Sequence, residues 1–144
     1  MPPSTGLPQI SDFIYLESEP GDFIGAGDNY LYDGSEFTIE SEGARLDVNV
    51  GRGMDWFATF IGMSSISRLE PGYYGNLESF PGHNTARGGL RWSGRGRSCN
   101  RLQGWFVVDS VEYSGSALSA IELRFEQMCD TSTGALHGFI RWRR

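Results

Sequence analysis

The 144-residue chain, 39% hydrophobic and 13% aromatic, is one domain's worth of sequence and long enough to bury a core in which a disulfide is helpful but not indispensable. Its 18 acidic against 12 basic residues give a formal charge of −6, which argues against duplex DNA or RNA as a partner, because phosphate neutralisation supplies most of that affinity. No stretch approaches the length of a membrane span, so membrane insertion is not expected.

Residues 1–11 are rich in Pro, Ser and Thr and poor in apolar residues, and they read as a linker or flexible arm ahead of a single β domain over 12–144. The opening Met1-Pro-Pro-Ser-Thr-Gly6 has neither the charged nor the apolar region of a secretory signal, so the expectation is a chain that starts after a removed signal or one module of a longer exported protein. Strand-like runs follow in order. Phe13–Leu16 is the first, Glu19-Pro-Gly-Asp22 is a turn, and Asn29–Tyr32 is the second run. Asp33-Gly34 between two apolar runs predicts a hairpin. Glu36–Glu40 and Arg45–Val50 alternate apolar with polar residues, the period of strands with one wet face. Met54–Ile61 is apolar on both faces and predicts a central or covered strand, and Ser64–Leu69 predicts a short helical turn. Tyr73–Leu77 and Gly89–Ser93 are short strands on either side of a long loop, 78–88. Gln103–Tyr113 and Ala117–Gln127 flank Ser114-Gly-Ser116 as a long hairpin, and Ala135–Arg143 is the last strand.

About nine or ten strands, with no sustained helical period, must pack as two sheets or close on themselves. An antiparallel two-sheet β-sandwich, jelly-roll-like, is the leading expectation; a closed, up-and-down β-barrel is the alternative. The chain has two Cys and two His and lacks CxxC spacing, which argues against metal bound by thiolates. A Cys99–Cys129 disulfide is the simpler account. It points to an oxidising, extracellular or cell-surface location and is worth roughly 3.5 kcal/mol through the loop it closes.

Five segments carry a resemblance: Ser18-Glu-Pro-Gly-Asp-Phe-Ile-Gly25, Leu69-Glu-Pro-Gly-Tyr73, Gly94-Arg-Gly-Arg-Ser-Cys-Asn100, Leu123-Arg-Phe-Glu-Gln-Met-Cys129 and Ala135-Leu-His-Gly138. In this order they resemble a domain of unassigned function found in exported, often multidomain, bacterial proteins. The resemblance spans residues 13–143. It implies export, a disulfide between the two Cys and a β-sandwich, and loosely an accessory module of surface or polymer-degrading proteins. It supplies no reaction. The family commonly carries His where this chain has Met128, which weakens any metal ligand at that position.

Several groups of residues are candidates for function. Asp22, Asp28, Asn29 and Asp33 lie in or beside Gly-rich turns and offer oxygens to a structural calcium ion; the competing reading is turn chemistry, since Asp and Asn bond their own backbone. No other cofactor is expected. Gly25-Ala-Gly27 is not followed by a helical pattern and is no dinucleotide loop. All 12 basic residues are Arg, and Arg91, Arg95, Arg97 and Arg101 cluster around Cys99. They suit carboxylate, sulfate or phosphate ligands, or else surface ion pairs with Glu112, Glu122 and Glu126. The aromatics carry the main functional expectation. Flat exposed rings cover the apolar faces of sugars, while nearby Arg and carboxylates such as Glu126 bond the hydroxyls. Trp56, Tyr73, Tyr74, Trp105, Phe80 and Trp92 are the aromatic candidates. Trp92 and Trp142 share faces with apolar residues and read as core, Trp105 reads as outward, and Tyr73 and Tyr74 must take opposite faces. Glu122 and Glu126 fall roughly 13–14 Å apart along one strand face, too far for a routine glycosidase dyad. The leading expectation is therefore a non-catalytic extracellular module that binds a glycan or other surface polymer. A structural or adhesive repeat is second, and a glycan hydrolase or lyase third.

Overall fold

The computed structural model describes residues 12–51 and 55–144. The expected N-terminal arm, 1–11, and Met54 at the start of the fifth strand run lie outside them. Among the described residues ten strands form: β1 (Phe13–Ser18), β2 (Asn29–Asp33), β3 (Phe37–Glu42), β4 (Arg45–Val50), β5 (Trp56–Ile61), β6 (Gly72–Ser79), β7 (Gly89–Ser93), β8 (Leu102–Ser114), β9 (Ala117–Cys129) and β10 (Leu136–Arg143). Residues 62–71 hold turns and bends and no helix.

The chain is all-β, but the two-sheet sandwich does not form. The strands make one sheet in the order β2-β1-β10-β9-β8-β6-β7-β5-β4-β3, nearly closed into a barrel. Two features explain this. Strand β6 pairs antiparallel with β8 on one side and, through Glu78↔Gly89 and Ser79↔Leu90, parallel with β7 on the other, so the sheet is not interrupted. The two end strands, β2 and β3, are consecutive in the chain and joined only by residues 34–36. The Asp33-Gly34 turn is thus a corner and not a hairpin: β2 pairs with β1, and β3 with β4. Glu36 N–H donates to the Asp33 carbonyl (3.0 Å), and the amide and hydroxyl of Ser35 donate to Asp33 Oδ1 (2.9 and 2.6 Å). Beneath this seam Trp56 Nε1–H donates to the Tyr32 hydroxyl (2.9 Å), tying β5 to β2.

Every strand contributes to one interior cluster. Its centre is aromatic. Trp92 stacks on Phe125 (5.1 Å, 20°), Tyr74 on Phe106 (4.5 Å, 10°), and Phe60 packs against Phe106 and Phe125. The alternation of β9 supplies much of this, with Ile121, Leu123, Phe125 and Gln127 inward and Glu122, Arg124 and Glu126 outward. Gln127 is the polar exception. Trp92 lies beyond the two-residue pairing of β7 with β6, so its backbone lacks a strand partner on that side. Gln127 supplies one: Trp92 N–H donates to Gln127 Oε1 (2.8 Å), and Gln127 Nε2 donates to the Trp92 carbonyl (2.9 Å).

The Cys99–Cys129 disulfide forms, with Cα atoms 5.1 Å apart. It joins the segment between β7 and β8 to the end of the long β8–β9 hairpin.

Candidate functional site

Beside the disulfide an open groove of about 1170 Å³ runs between β6, the loop after it, the segment before β8 and the end of β9. Its aromatic wall is Tyr73 on β6 and Trp105 on β8, rings 6.1 Å apart and tilted by 36°. Both are outward because their strand neighbours Tyr74 and Phe106 are buried in the core. Tyr73 is 65% exposed. A bulge in β6 between Tyr74 and Leu77, with Asn76 at φ 55°, interrupts the pairing with β8 opposite Trp105. Bulges re-aim side chains in this way. Phe80, Pro81 and Gly82, in the loop after β6, also line the groove. Phe80 is held between the His83 ring (5.5 Å) and the Arg45 guanidinium (4.7 Å).

Three carboxylates, Glu78, Glu126 and Asp130, and three guanidinium groups, Arg87, Arg91 and Arg101, line the groove. Its charge is balanced, and both donors and acceptors are present. Glu126 is opposite Trp105 on one side and His137 on the other. His137 Nδ1 lies 3.5 Å from Glu126, and Nε2 lies 2.7 Å from Glu19 Oε2. The bond from His137, with a second from the Ala135 amide (2.9 Å), holds the Glu19 carboxyl below its ordinary value. Sequence reasoning missed Glu19, His137 and Asn76 in these positions, because the links depend on cross-strand register.

Of the eight residues proposed from sequence as ligand-binding, the groove gathers Tyr73, Trp105, Arg91 and Glu126. The other four are elsewhere. Trp56 is fully buried and Tyr74 is 4% exposed, so both are core, not platform. The Tyr74 hydroxyl is engaged with the backbone of Glu70. Arg95 and Gly96 have φ of 53° and 75°, which, with reciprocal bonds between Gly94 and Arg97, makes a two-residue turn of the type that needs positive φ at both centres. From this turn Arg95 lies over Tyr30 and Trp56 (5.0 and 5.3 Å) and 3.8 Å from Asp55. Arg97 donates to the Ile24 carbonyl (2.8 Å). Glu112, Glu122 and Glu126 are not their partners: Glu112 pairs with Arg143, Glu122 with Arg141, and Glu126 approaches His137. Trp92 is core as expected, whereas Trp142, also expected in the core, is half-buried and packs against the cluster from its edge.

The calcium candidates do not converge. Asp22 is 3% exposed, and its oxygens accept from the Ser18 hydroxyl (2.7 Å) and from the amides of Ile24 (3.1 Å) and Gly25 (2.9 Å). It organises its own loop. Asp28 and Asn29 are exposed before and at the start of β2, and Asp33 is at its other end, occupied by Ser35. Among the described residues no group of three or more His, Cys, Asp or Glu is placed to hold a metal ion. No helix among them is long and apolar enough to cross a membrane.

No family model matches the chain, and neither the curated proteins nor the solved structures provide a match.

Proposed function

We propose that this domain is a non-catalytic extracellular recognition module whose groove binds carbohydrate. The observation that carries this reading is the outward pair Tyr73 and Trp105 at the wall of a groove lined by equal numbers of carboxylates and guanidinium groups. Sugar rings present apolar C–H faces to aromatics and hydroxyls to donors and acceptors, and a site with an apolar body and a few fixed polar groups suits them. Balanced charge in the groove and a net charge of −6 for the chain favour a neutral glycan over a polyanion. The disulfide supports an oxidising location, and so does the resemblance to exported bacterial domains. A spacer or adhesive repeat would need no such groove.

The test is a carbohydrate array with the intact domain, followed by titration of Trp105→Ala and Tyr73→Ala. Binding that is lost in both variants while thermal unfolding is unchanged is the expected result. An array without a hit would remove the reading, and release of shortened sugars that stops in Glu126→Gln would replace it with a hydrolase or lyase.

A further inference from the structure

Tyr73 is the end of a longer row. Following the strand register across the outer face, Tyr73 is opposite Val107 on β8, Val107 opposite Arg124 on β9, Arg124 opposite Phe139 on β10, Phe139 opposite Tyr15 on β1, and Tyr15 opposite Leu31 on β2. These side chains are on the outer face, alternating with the buried Phe106, Phe125, Ile140, Leu16 and Tyr32; Val107, Phe139 and Tyr15 are half-buried, and Phe139 stacks on Phe13 (5.5 Å, 8°). Leu31 is 50% exposed. The one charged member is paired: Arg124 donates twice to Asp109 (2.8 and 3.0 Å). The next row along the same strands is Trp105, Glu126, His137, Glu17 and Asn29. Past Trp105 that row is entirely polar. A row that is apolar apart from Arg124 is therefore bordered by donors and acceptors from β9 to β2, and it is continuous with the groove through Tyr73 and Trp105.

Resting on the carbohydrate reading, we infer that the ligand is an extended internal segment of a neutral polysaccharide, laid across the strands from β6 to β2, and not a chain end or a single sugar held in the groove. Five inter-strand steps of about 4.8 Å give a contour roughly 24 Å long around the outside of the nearly closed sheet, the contour of several sugar units. A glycan chain has the matching chemistry, with apolar ring faces on the row and hydroxyls toward Glu126, His137 and Glu17. A polyanion would meet Glu17, Glu19 and Glu126 along the polar border. A peptide strand adds to a sheet at an edge, whereas this row crosses the face of six paired strands.

The experiment titrates the whole domain by calorimetry with β-1,4-linked gluco-, xylo- and manno-oligosaccharides of two, four and six units. Affinity is expected to rise with length for the series that binds. Tyr15→Ser and Leu31→Ser, both on the outer face, should weaken the six-unit ligand roughly three- to tenfold and leave the two-unit ligand unchanged, while Trp105→Ala weakens both. Equal affinity for two and six units, or a length dependence that survives Tyr15→Ser and Leu31→Ser, overturns the row and leaves the groove reading in place. Failure of every oligosaccharide and of the array overturns both. A concentration-dependent dimer that Leu31→Ser dissociates assigns the row to a second copy of the chain and also overturns the inference.

Discussion

Tyr73 keeps its ring on the outer face because Gly75, two residues further along the same face of β6, leaves room for it. The ring occupies the place that a Cβ of Gly75 would take. A methyl group there meets the far end of a flexible side chain, so the ring must move while the strand need not. Gly75→Ala is therefore expected to weaken glycan binding toward the level of Tyr73→Ala, with stability changed by no more than about 0.5 kcal/mol, as for ordinary surface substitutions. Calorimetric unfolding and the same titration check both halves, and full binding by Gly75→Ala would show that the ring's seat is unimportant. The neighbouring tyrosine gives the contrast. Tyr74 stacks on Phe106 and bonds the backbone of Glu70, so Tyr74→Ala should cost about 3–5 kcal/mol and report on folding, not on the ligand.

The strands themselves were largely legible, and their neighbours were not. Alternation in Arg45–Val50 and Ala117–Gln127 identified the inward faces of β4 and β9, and Ser114-Gly-Ser116 identified the turn of the long hairpin, because these signals are local. Asp33-Gly34 gave a turn correctly and a hairpin wrongly: its hydrogen bonds close within four residues, whichever strands the flanking runs then join. The same limit explains the sandwich expectation, since the parallel pairing of β6 with β7 rests on two residue pairs, and the Pro and Gly signals of the loop between them do not say which strands it joins. In the site, parity separated Tyr73 from Tyr74 and turned Trp105 outward, but between Trp56 and Phe57 parity leaves either ring free to be the inward one. Tyr15, Phe139 and Leu31 were invisible as a group because only register aligns them. Gln127 shows how such long-range gaps are closed. Its side-chain amide replaces a strand for Trp92, so Gln127→Leu leaves a buried N–H and a buried carbonyl unpaired at about 1–3 kcal/mol each. For a chain of this size that corresponds to a fall in Tm of roughly 5–20 °C, measurable by scanning calorimetry. An unchanged Tm would mean that the β7 backbone finds another partner.

At the scale of the whole molecule, acid and base should attack different places. Glu19, bonded by His137 and the Ala135 amide, and Asp33, bonded by the hydroxyl and amide of Ser35, are both held below their ordinary values. A lowered carboxyl binds its proton less readily in the folded chain, so its stabilising contribution is complete above the unfolded value and is lost as the pH falls through the folded one. Asp33 fixes the corner between the sheet's two end strands, and Glu19 ties the loop after β1 to β10, so acid loosens the barrel at its seam and beside the groove. Tyr74 and Tyr113 are raised, chiefly by burial. Their hydroxyls bond Glu70 and Leu69 in the segment leading into β6. A raised phenol favours the protonated folded form, so this contribution is complete below the ordinary tyrosine value near 10 and is lost as the pH rises through the folded one. Stability should thus be flat from mildly acidic to mildly alkaline pH and fall on both sides. Two measurements separate the causes. Replacing Glu19 with Gln should make the acid limb of a Tm–pH profile shallower, leaving the part due to Asp33, and leave the alkaline limb alone. Phenolate absorbance, compared with Tyr74→Phe and Tyr113→Phe variants, should show these two hydroxyls ionising late, together with the alkaline loss of structure. If instead Tyr74 and Tyr113 titrate near 10 while the fold persists, the segment before β6 is not the alkaline weak point, and the burial assigned to these two residues is wrong.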